Sequence, residues 1–167
     1  MPNATPKAAT TAKPPLAAAE LKCVAKRLVE NYGKEVELYR SVLKLTELQR
    51  ANLQSSGDVR DFIALLHQKE DLIRAIDKVE LQLDEDKAHW LEADEQQKNG
   101  TNADLNALLD EIILTIEKTM KVEQDNEHLL KDRKGQIEQE LEAIRKGRNA
   151  AREYDPEKDA KLISAIS

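Results

Sequence analysis

The sequence places two of its histidines one helical turn after an aspartate, a spacing that can bring a carboxylate and an imidazole to one metal ion. The pairs are Asp86 with His89 and Asp125 with His128. Di-iron helical bundles use similar pairs, but they take glutamates in two Glu-x-x-His motifs on four helices. Here the motif glutamates and a fourth helix are missing, and both pairs lie beside the apolar stripes described below. We therefore expect weak surface pairing and neither a metal site nor another cofactor.

His67 and Cys23 also lack the partners that catalysis requires. His67 precedes Glu70 by three residues, so we expect another surface pair. Cys23 lies between Leu21 and Val24, and we expect a small buried hydrophobe there, since lone buried thiols usually fill that role. The chain has no glycine-rich phosphate loop, no G-x-S-x-G motif and no zinc-ligand spacing. The protein is not expected to be an enzyme.

The elements that must position these side chains are long helices, because no proline occurs between Pro15 and Pro156. A proline would remove a backbone donor and clash with the preceding helical turn. Apolar residues recur over this interval at spacings of three and four, which places them on one stripe of each helix. The pattern predicts an all-α protein in which three long antiparallel helices form a coiled-coil-like bundle.

The composition agrees with a slim bundle and argues against a nucleic-acid partner. The chain of 167 residues is 35% charged, 40% apolar and 3% aromatic, which is typical of helical coiled coils and fits one domain. Its net charge of −6 opposes binding to phosphates, which relies on lysine and arginine. One basic cluster near the end of the last helix complements the helix dipole and could also meet an acidic partner. The cluster is Arg145, Lys146, Arg148 and Arg152.

The sequence predicts a cytoplasmic protein with no direct membrane insertion. Its single cysteine cannot form an internal disulfide, which suits a reducing compartment. No apolar run approaches the roughly 20 residues that span a bilayer, and the N-terminus lacks the apolar region of a secretion signal.

Two short turns predict where the helices begin and end. Residues 55–58 form the first turn, in which Gly57 allows a positive φ angle and Asp58 or Ser56 caps the next helix. Residues 99–102 form a second turn, again a glycine stop followed by capping residues. The predicted bundle spans residues 17–155, with helices at about 17–54, 58–97 and 103–152. Residues 1–16 are predicted to be a disordered tail, because they carry almost nothing to bury.

The stripes of the second and third helices contain charged residues. Lys69 falls on the second stripe, where its aliphatic stem is expected to cover the seam while its charge reaches water. The third stripe thins at Glu123 and Glu127. It then recovers at four apolar residues, Leu130, Ile137, Leu141 and Ile144.

The third helix is predicted to be longer than the other two. It has about 50 residues against roughly 38 to 40, so its last ten or so overhang by about 15 Å. The overhang carries Leu141 and Ile144, with Ile137 at its root. Apolar residues without intramolecular cover predict a partner, which is either a second copy or a client protein.

The C-terminal segment, residues 156–167, follows a proline and carries three apolar residues on one helical face. These are Leu162, Ile163 and Ile166. The spacing predicts a short amphipathic helix, which needs a surface to dock on because so short a helix is marginal alone in water.

Three parts of the sequence resemble the FlgN-type flagellar export chaperones. The stretch Leu38–Asp58 is similar to that family's leucine-rich helix ending in a Ser/Gly-Asp turn. Phe62–Arg74 follows with the family's Lys-Glu-x-Leu segment, which is here Lys69–Leu72. Asn149–Tyr154, followed by apolar residues, resembles the family's tail. The resemblance covers most of residues 20–167.

The resemblance implies a cytoplasmic chaperone that keeps flagellar hook-associated junction proteins unassembled and delivers them to the export-gate membrane protein. It implies that the C-terminal region binds the client's C-terminal amphipathic helix, with Leu130, Ile137, Leu141 and Ile144 as the seam. It also implies that Tyr154 docks on the gate.

Two other function classes remain open from the sequence. A coiled-coil oligomerisation or tethering protein would use the same overhang to form a homodimer without any client. A metal-binding or redox bundle would require bound iron or manganese, which metal analysis would detect.

Overall fold

The computed structural model describes residues 16–98 and 100–153, and three long α-helices account for most of them. They are α1 (Ala18–Gln54), α2 (Val59–Glu92) and α3 (Thr101–Glu153), and a short 3₁₀ turn occupies Glu95–Lys98. The predicted all-α, three-helix architecture is confirmed, with no strand in the described ranges. Gly33 does not interrupt α1. The predicted N-terminal tail, apart from Leu16, and the predicted C-terminal segment lie outside these residues.

The helix α1 is the element that holds the bundle together. Both α2 and α3 pack closely along α1, whereas the backbones of α2 and α3 stay farther apart and these two helices meet through side chains such as Leu83 and Leu105. The short turn after Gln54 makes α2 antiparallel to α1, and α3 is then parallel to α1. Arg50 of α1 lies 3.5 Å from Asp125 of α3, and Arg40 pairs with Glu111. The side of the bundle between α2 and α3 is consequently open, with α1 behind it.

The best-packed apolar core lies where α1 begins, α2 ends and α3 begins. Val24, Leu28, Leu83 and Leu105 are buried against one another there. Burying an aliphatic side chain of this size stabilises a fold by about 1.5–3 kcal/mol. The three helices therefore meet firmly at this end of the bundle.

The first turn differs from its prediction in which residue takes the left-handed conformation. Ser56 has a φ of 54°, whereas Gly57 does not have a positive φ. Gly57 is needed for a steric reason, since a Cβ at this position would clash with the side chain of Asn52. The expected cap is present, because the carboxylate of Asp58 accepts a hydrogen bond from the backbone N–H of Arg60 at 2.8 Å.

The second connection begins earlier than predicted. The helix α2 ends at Glu92 and not near Gln97, because Ala93 has an extended backbone with φ −74° and ψ 147°. Gly100 takes the left-handed conformation, with φ 84°, immediately before α3 begins at Thr101. Gly100 therefore precedes α3 and does not stop α2, so the glycine stop expected at this turn is wrong, although the residue takes the positive φ that glycine allows. None of the described helices combines the length and hydropathy that spanning a bilayer would need.

Candidate functional site

The C-terminal part of α3 extends beyond the rest of the bundle. Arg133 ties α3 to the turn between α1 and α2, because its Nη2 donates to the carbonyl oxygen of Gly57 at 2.9 Å. Beyond Glu138, which still lines a cavity together with Val59 of α2, the helix continues for about 22 Å to Glu153, against the roughly 15 Å predicted. Residues 136–152 are all exposed. Leu141 and Ile144 lie in this segment with exposed fractions of 57% and 54%.

Two neighbouring stripes of α3 have different partners. The stripe that faces α1 is buried and includes Ile112, Val122 and Asn126. The adjacent stripe, which includes Met120 and Leu130, opens toward α2. The sequence pattern merged the two stripes, so it predicted thinning at Glu123 and Glu127. The residues that pack against α1 here are Val122 and Asn126, which directly precede these two glutamates.

A groove runs between α2 and α3, with α1 as its floor. Its main cavity has a volume of 710 Å³. The apolar walls come from Phe62, Leu66 and Ile73 of α2 and from Ile116, Met120 and Leu130 of α3. A helix laid in this groove would contact apolar side chains on both sides.

A second cavity, of 400 Å³, continues the groove toward the overhang. It shares Phe62 and Leu130 with the main cavity and adds Val59 and Ile137. We refer to the two cavities together as the α2–α3 groove. From Ile116 to Ile137 it runs about 32 Å along α3.

The structure brings two of the predicted site residues into the groove and leaves two beyond it. Leu130 and Ile137 line the groove, and Leu141 and Ile144 extend the same seam onto the overhang at spacings of four and three residues. Tyr154 lies outside the described residues.

Sequence reasoning missed the part that α2 plays in this surface. Leu66 and Ile73 belong to the predicted stripe, yet their side chains are partly exposed at the groove. A stripe pattern indicates an apolar face but does not reveal whether a second helix covers it. The sequence does carry an apolar stripe on each of the three helices, but nothing in it showed that α1 lies between the other two.

Lys69 lies at the floor of the groove, and the expectation that its charge reaches water is wrong. The residue is 8% exposed. Its Nζ donates to Oε1 of Gln49 at 2.7 Å and to Oε1 of Glu123. The ammonium group is therefore buried between an amide from α1 and a carboxylate from α3.

Two further polar side chains extend this arrangement into a polar layer. Nδ2 of Asn126 donates to the backbone carbonyl of Thr46 at 3.1 Å, and both residues are buried. Oδ1 of Asn126 is buried, and no described residue donates a hydrogen bond to it. We call the five residues the polar layer: Thr46, Gln49, Lys69, Glu123 and Asn126. They cross the bundle midway along the groove, whose lining also includes the polar residues Thr119, Gln124 and Glu127.

The aspartate–histidine pairs are engaged in other interactions. Asp86 accepts hydrogen bonds from Nε of Arg27 at 2.9 Å and from Nη2 at 2.6 Å, which joins α1 to α2. Asp125 faces Arg50, as described above. Within residues 16–98 and 100–153, no three side chains of the metal-binding types come together as a candidate site.

The remaining candidate side chains are on the surface. His67 Nδ1 lies 3.5 Å from a carboxylate oxygen of Glu70, as expected for a surface pair. Cys23 is exposed, so the expectation of a buried thiol is wrong. Its neighbours Leu21 and Val24 take the buried positions of the stripe, and Cys23 points away from it.

Comparison with known proteins gives one family. The family model described as FlgN protein matches residues 24–161, which is most of the chain. No curated protein and no solved structure gives a match. The matched range contains the α2–α3 groove, the polar layer and the whole described overhang.

Proposed function

The chain belongs to the FlgN family of flagellar export chaperones, and from this premise we propose that it holds the C-terminal amphipathic helices of hook–filament junction proteins. In this proposal the protein works in the cytoplasm without catalysis or cofactor, and it delivers its clients to the gate of the flagellar type III export apparatus. The gate contact is made through Tyr154.

The observation that carries the proposal is the continuous apolar seam of α3. Leu130 and Ile137 lie at the groove, and Leu141 and Ile144 follow with exposed side chains. Proteins that hold an amphipathic helix place anchors at such i, i+4 and i+7 positions. Apolar side chains exposed in this way on a charged helix are typical of an interaction surface.

The open groove suits temporary holding. Junction proteins polymerise through terminal amphipathic helices, which would associate or be degraded if they were left free before export. A groove that is open to solvent along its length can cover such a helix and still release it. We therefore expect an affinity that is moderate rather than extreme.

The test is size-exclusion chromatography with light scattering, on the protein alone and with C-terminal fragments of junction proteins. We expect a complex of defined stoichiometry that is lost in the double variant Leu141→Asp/Ile144→Asp. The helical circular dichroism signal of that variant should stay near wild type, because both residues are exposed on the overhang. A large loss of helicity would instead place the two residues in a core.

A second candidate function uses the same exposed seam. If the overhang pairs with a second copy, the protein is an oligomerisation or tethering module without a client. A tight self-dimer that survives dilution, together with no complex with the fragments, would favour this alternative and contradict the chaperone proposal.

A further inference from the structure

We propose that the exposed end of α3 is the docking surface for the chain's own C-terminal segment, residues 156–167, which folds back along it as a short helix. That segment lies outside the described residues. The docking surface, which we call the tip surface, consists of Leu141, Ile144, Arg148 and Arg152. The docked segment covers the apolar half of this surface, so it competes with a client helix; this competition, unlike the docking itself, rests on the proposed function.

The tip surface changes from apolar to basic toward the end of α3. Its four residues follow one another at spacings of three, four and four, so they share one face of the helix, and all four are exposed. Lys146, on another face, pairs with Glu142 at 3.1 Å, whereas among the described side chains no carboxylate pairs with Arg148 or Arg152. A helix that fits this surface therefore needs carboxylates at one end and apolar side chains at the other.

The C-terminal segment carries this pattern in the reverse order. Asp159, Leu162 and Ile166 follow one another at spacings of three and four, so a helix places them on one face, with the carboxylate first. When such a helix runs antiparallel to α3, its acidic end meets the arginines and its apolar end meets the apolar half of the tip surface.

The residues between α3 and the segment favour a tight reversal of the chain. A proline disfavours the helical conformation in the residue before it, so a helix that precedes Pro156 ends by Asp155. Proline is also favoured as the first residue of a helix, and aspartate is favoured as the cap before it. Because α3 is described as far as Glu153, two residues remain for the connection, and connections of two to five residues join antiparallel helices.

This connection also sets the register of the two helices. Equal numbers of residues on either side of the turn lie at equal heights, since both helices rise by about 1.5 Å per residue. Asp159 is then level with the two arginines of the tip surface, Ile166 is level with its two apolar residues, and Leu162 lies between them. One register therefore serves the charged and the apolar contacts alike. The apolar contacts supply most of the stabilisation, because exposed ion pairs contribute little.

The occupant to which we commit is the chain's own segment rather than a second copy. A connection of about two residues holds the segment beside the tip surface at a high effective concentration, which a separate molecule does not have. The segment is too short to reach further. Its helix is about 18 Å long, whereas Ile137 at the edge of the α2–α3 groove lies about 24 Å from Glu153. The groove therefore stays open while the tip surface is covered.

The first test measures a distance in the full-length protein. Nitroxide labels are attached at Gln139→Cys and Ser167→Cys in a Cys23→Ser background, because Cys23 is exposed and would be labelled too. Gln139 is exposed and lies on the side of α3 away from the tip surface. Double electron–electron resonance should give a main distance of about 20 Å, since the end of the segment returns toward Gln139.

A helix that continued straight from α3 would separate the same labels by about 42 Å. A distribution with no component below about 30 Å would overturn the inference. Dilution with a tenfold excess of unlabelled protein distinguishes the chain's own segment from that of a second copy. The short distance should persist on dilution, and its loss would show docking between two copies, which would also overturn the inference.

A pair of matched variants ties the short distance to the proposed face of the segment. Leu162→Lys/Ile166→Lys replaces the apolar contacts with charges that the arginines repel, so the short distance should be lost. Ala160→Lys/Ser164→Lys adds the same charges at the same spacing to another face of the segment and should retain it. A short distance that survives in the first variant would overturn the inference.

The second test addresses the competition with a client. A junction protein's C-terminal fragment should bind Leu162→Lys/Ile166→Lys at least about threefold more tightly than Ala160→Lys/Ser164→Lys, because the released segment no longer has to be displaced. Equal affinities would overturn the competition, and the distance measurement would still decide the docking. Absence of binding to wild type and both variants would overturn the proposed function without altering the result for the docked segment.

Discussion

Leu81 and Leu83 lie two residues apart on α2 at opposite extremes of exposure. Leu83 is 0% exposed and packs with Val24, Leu28 and Leu105, whereas Leu81 is 75% exposed. The two leucines provide a matched pair, because they are the same type of residue on the same helix and differ in how deeply their side chains are buried.

Leu83→Ala should lower the free energy of unfolding by about 2–5 kcal/mol, because it leaves a cavity in the core. Leu81→Ala should change it by less than about 0.5 kcal/mol. Urea unfolding followed by circular dichroism measures both values. Equal effects of the two substitutions would show that the core is not where we place it.

The α2 wall of the groove should matter for client binding as much as the seam of α3 does. We expect Leu66→Asp/Ile73→Asp to weaken the binding of a client's C-terminal fragment at least tenfold, since both side chains line the groove. Leu81→Asp adds a similar charge to the exposed side of α2 and should leave binding unchanged. Anisotropy titrations give both affinities, and wild-type affinity in the double variant would confine the client site to α3.

Glu35 makes stability depend on pH. The residue is 3% exposed, and within the part of the chain that the structure describes no group donates a hydrogen bond to its Oε1. Burial raises the pKa of this carboxyl group above its usual 4.5, and the nearby charge of Glu80 raises it further, while Lys87 acts in the opposite direction. The folded state therefore holds the proton more tightly than the unfolded chain does.

A raised carboxyl pKa contributes stability that is fully present below pH 4.5 and is lost as the pH rises through the folded pKa. Glu35→Gln should consequently raise Tm relative to wild type at pH 7, and this advantage should shrink toward pH 4.5. Thermal melts across this range measure the difference. Glu47→Gln, an exposed change on the same helix, serves as the control, and a pH-independent effect of Glu35→Gln would refute the assignment.

A glycine at the residue of the first turn that has a positive φ should make the protein more stable. Ser56→Gly should stabilise the protein by about 1 kcal/mol, because the left-handed conformation is costly for serine. Gly57→Ala should destabilise it through the clash with Asn52. Gly33→Ala is a useful contrast, because its Cβ meets no atom within 4 Å and α1 gains helix propensity. Chemical denaturation measures the free energy of unfolding of each variant. We expect it to rise in Ser56→Gly and Gly33→Ala and to fall in Gly57→Ala.

Tyr154→Ala should spare client binding and reduce export of the junction proteins, if this residue is the gate contact that the family resemblance implies. The readouts are anisotropy for the client and immunoblotting of culture supernatants for export. Unchanged export would remove the gate role from Tyr154 without affecting the groove.

The helices were predictable from the spacing of apolar residues. The packing of one helix against another was not. The absence of prolines and the 3–4 spacing predicted three helices, and α1 continues across Gly33 as its in-phase stripe suggested. The same spacing could not show that the backbones of α2 and α3 stay apart and leave Leu66 and Ile73 lining an open groove. The charge of Lys69 was expected to reach water, because the sequence did not reveal its hydrogen-bond acceptors. These acceptors, Gln49 and Glu123, lie on two other helices and are remote in sequence.

The central position of α1 also bears on how the protein can evolve. The side chains that hold the fold, such as Leu83 and Leu105, pack on α1 at one end of the bundle. Those that line the groove, such as Leu66 and Met120, remain partly exposed. Mutations in the groove can therefore accumulate with little loss of stability, and under the proposed function a lineage could exchange one client for another while keeping the same three-helix frame.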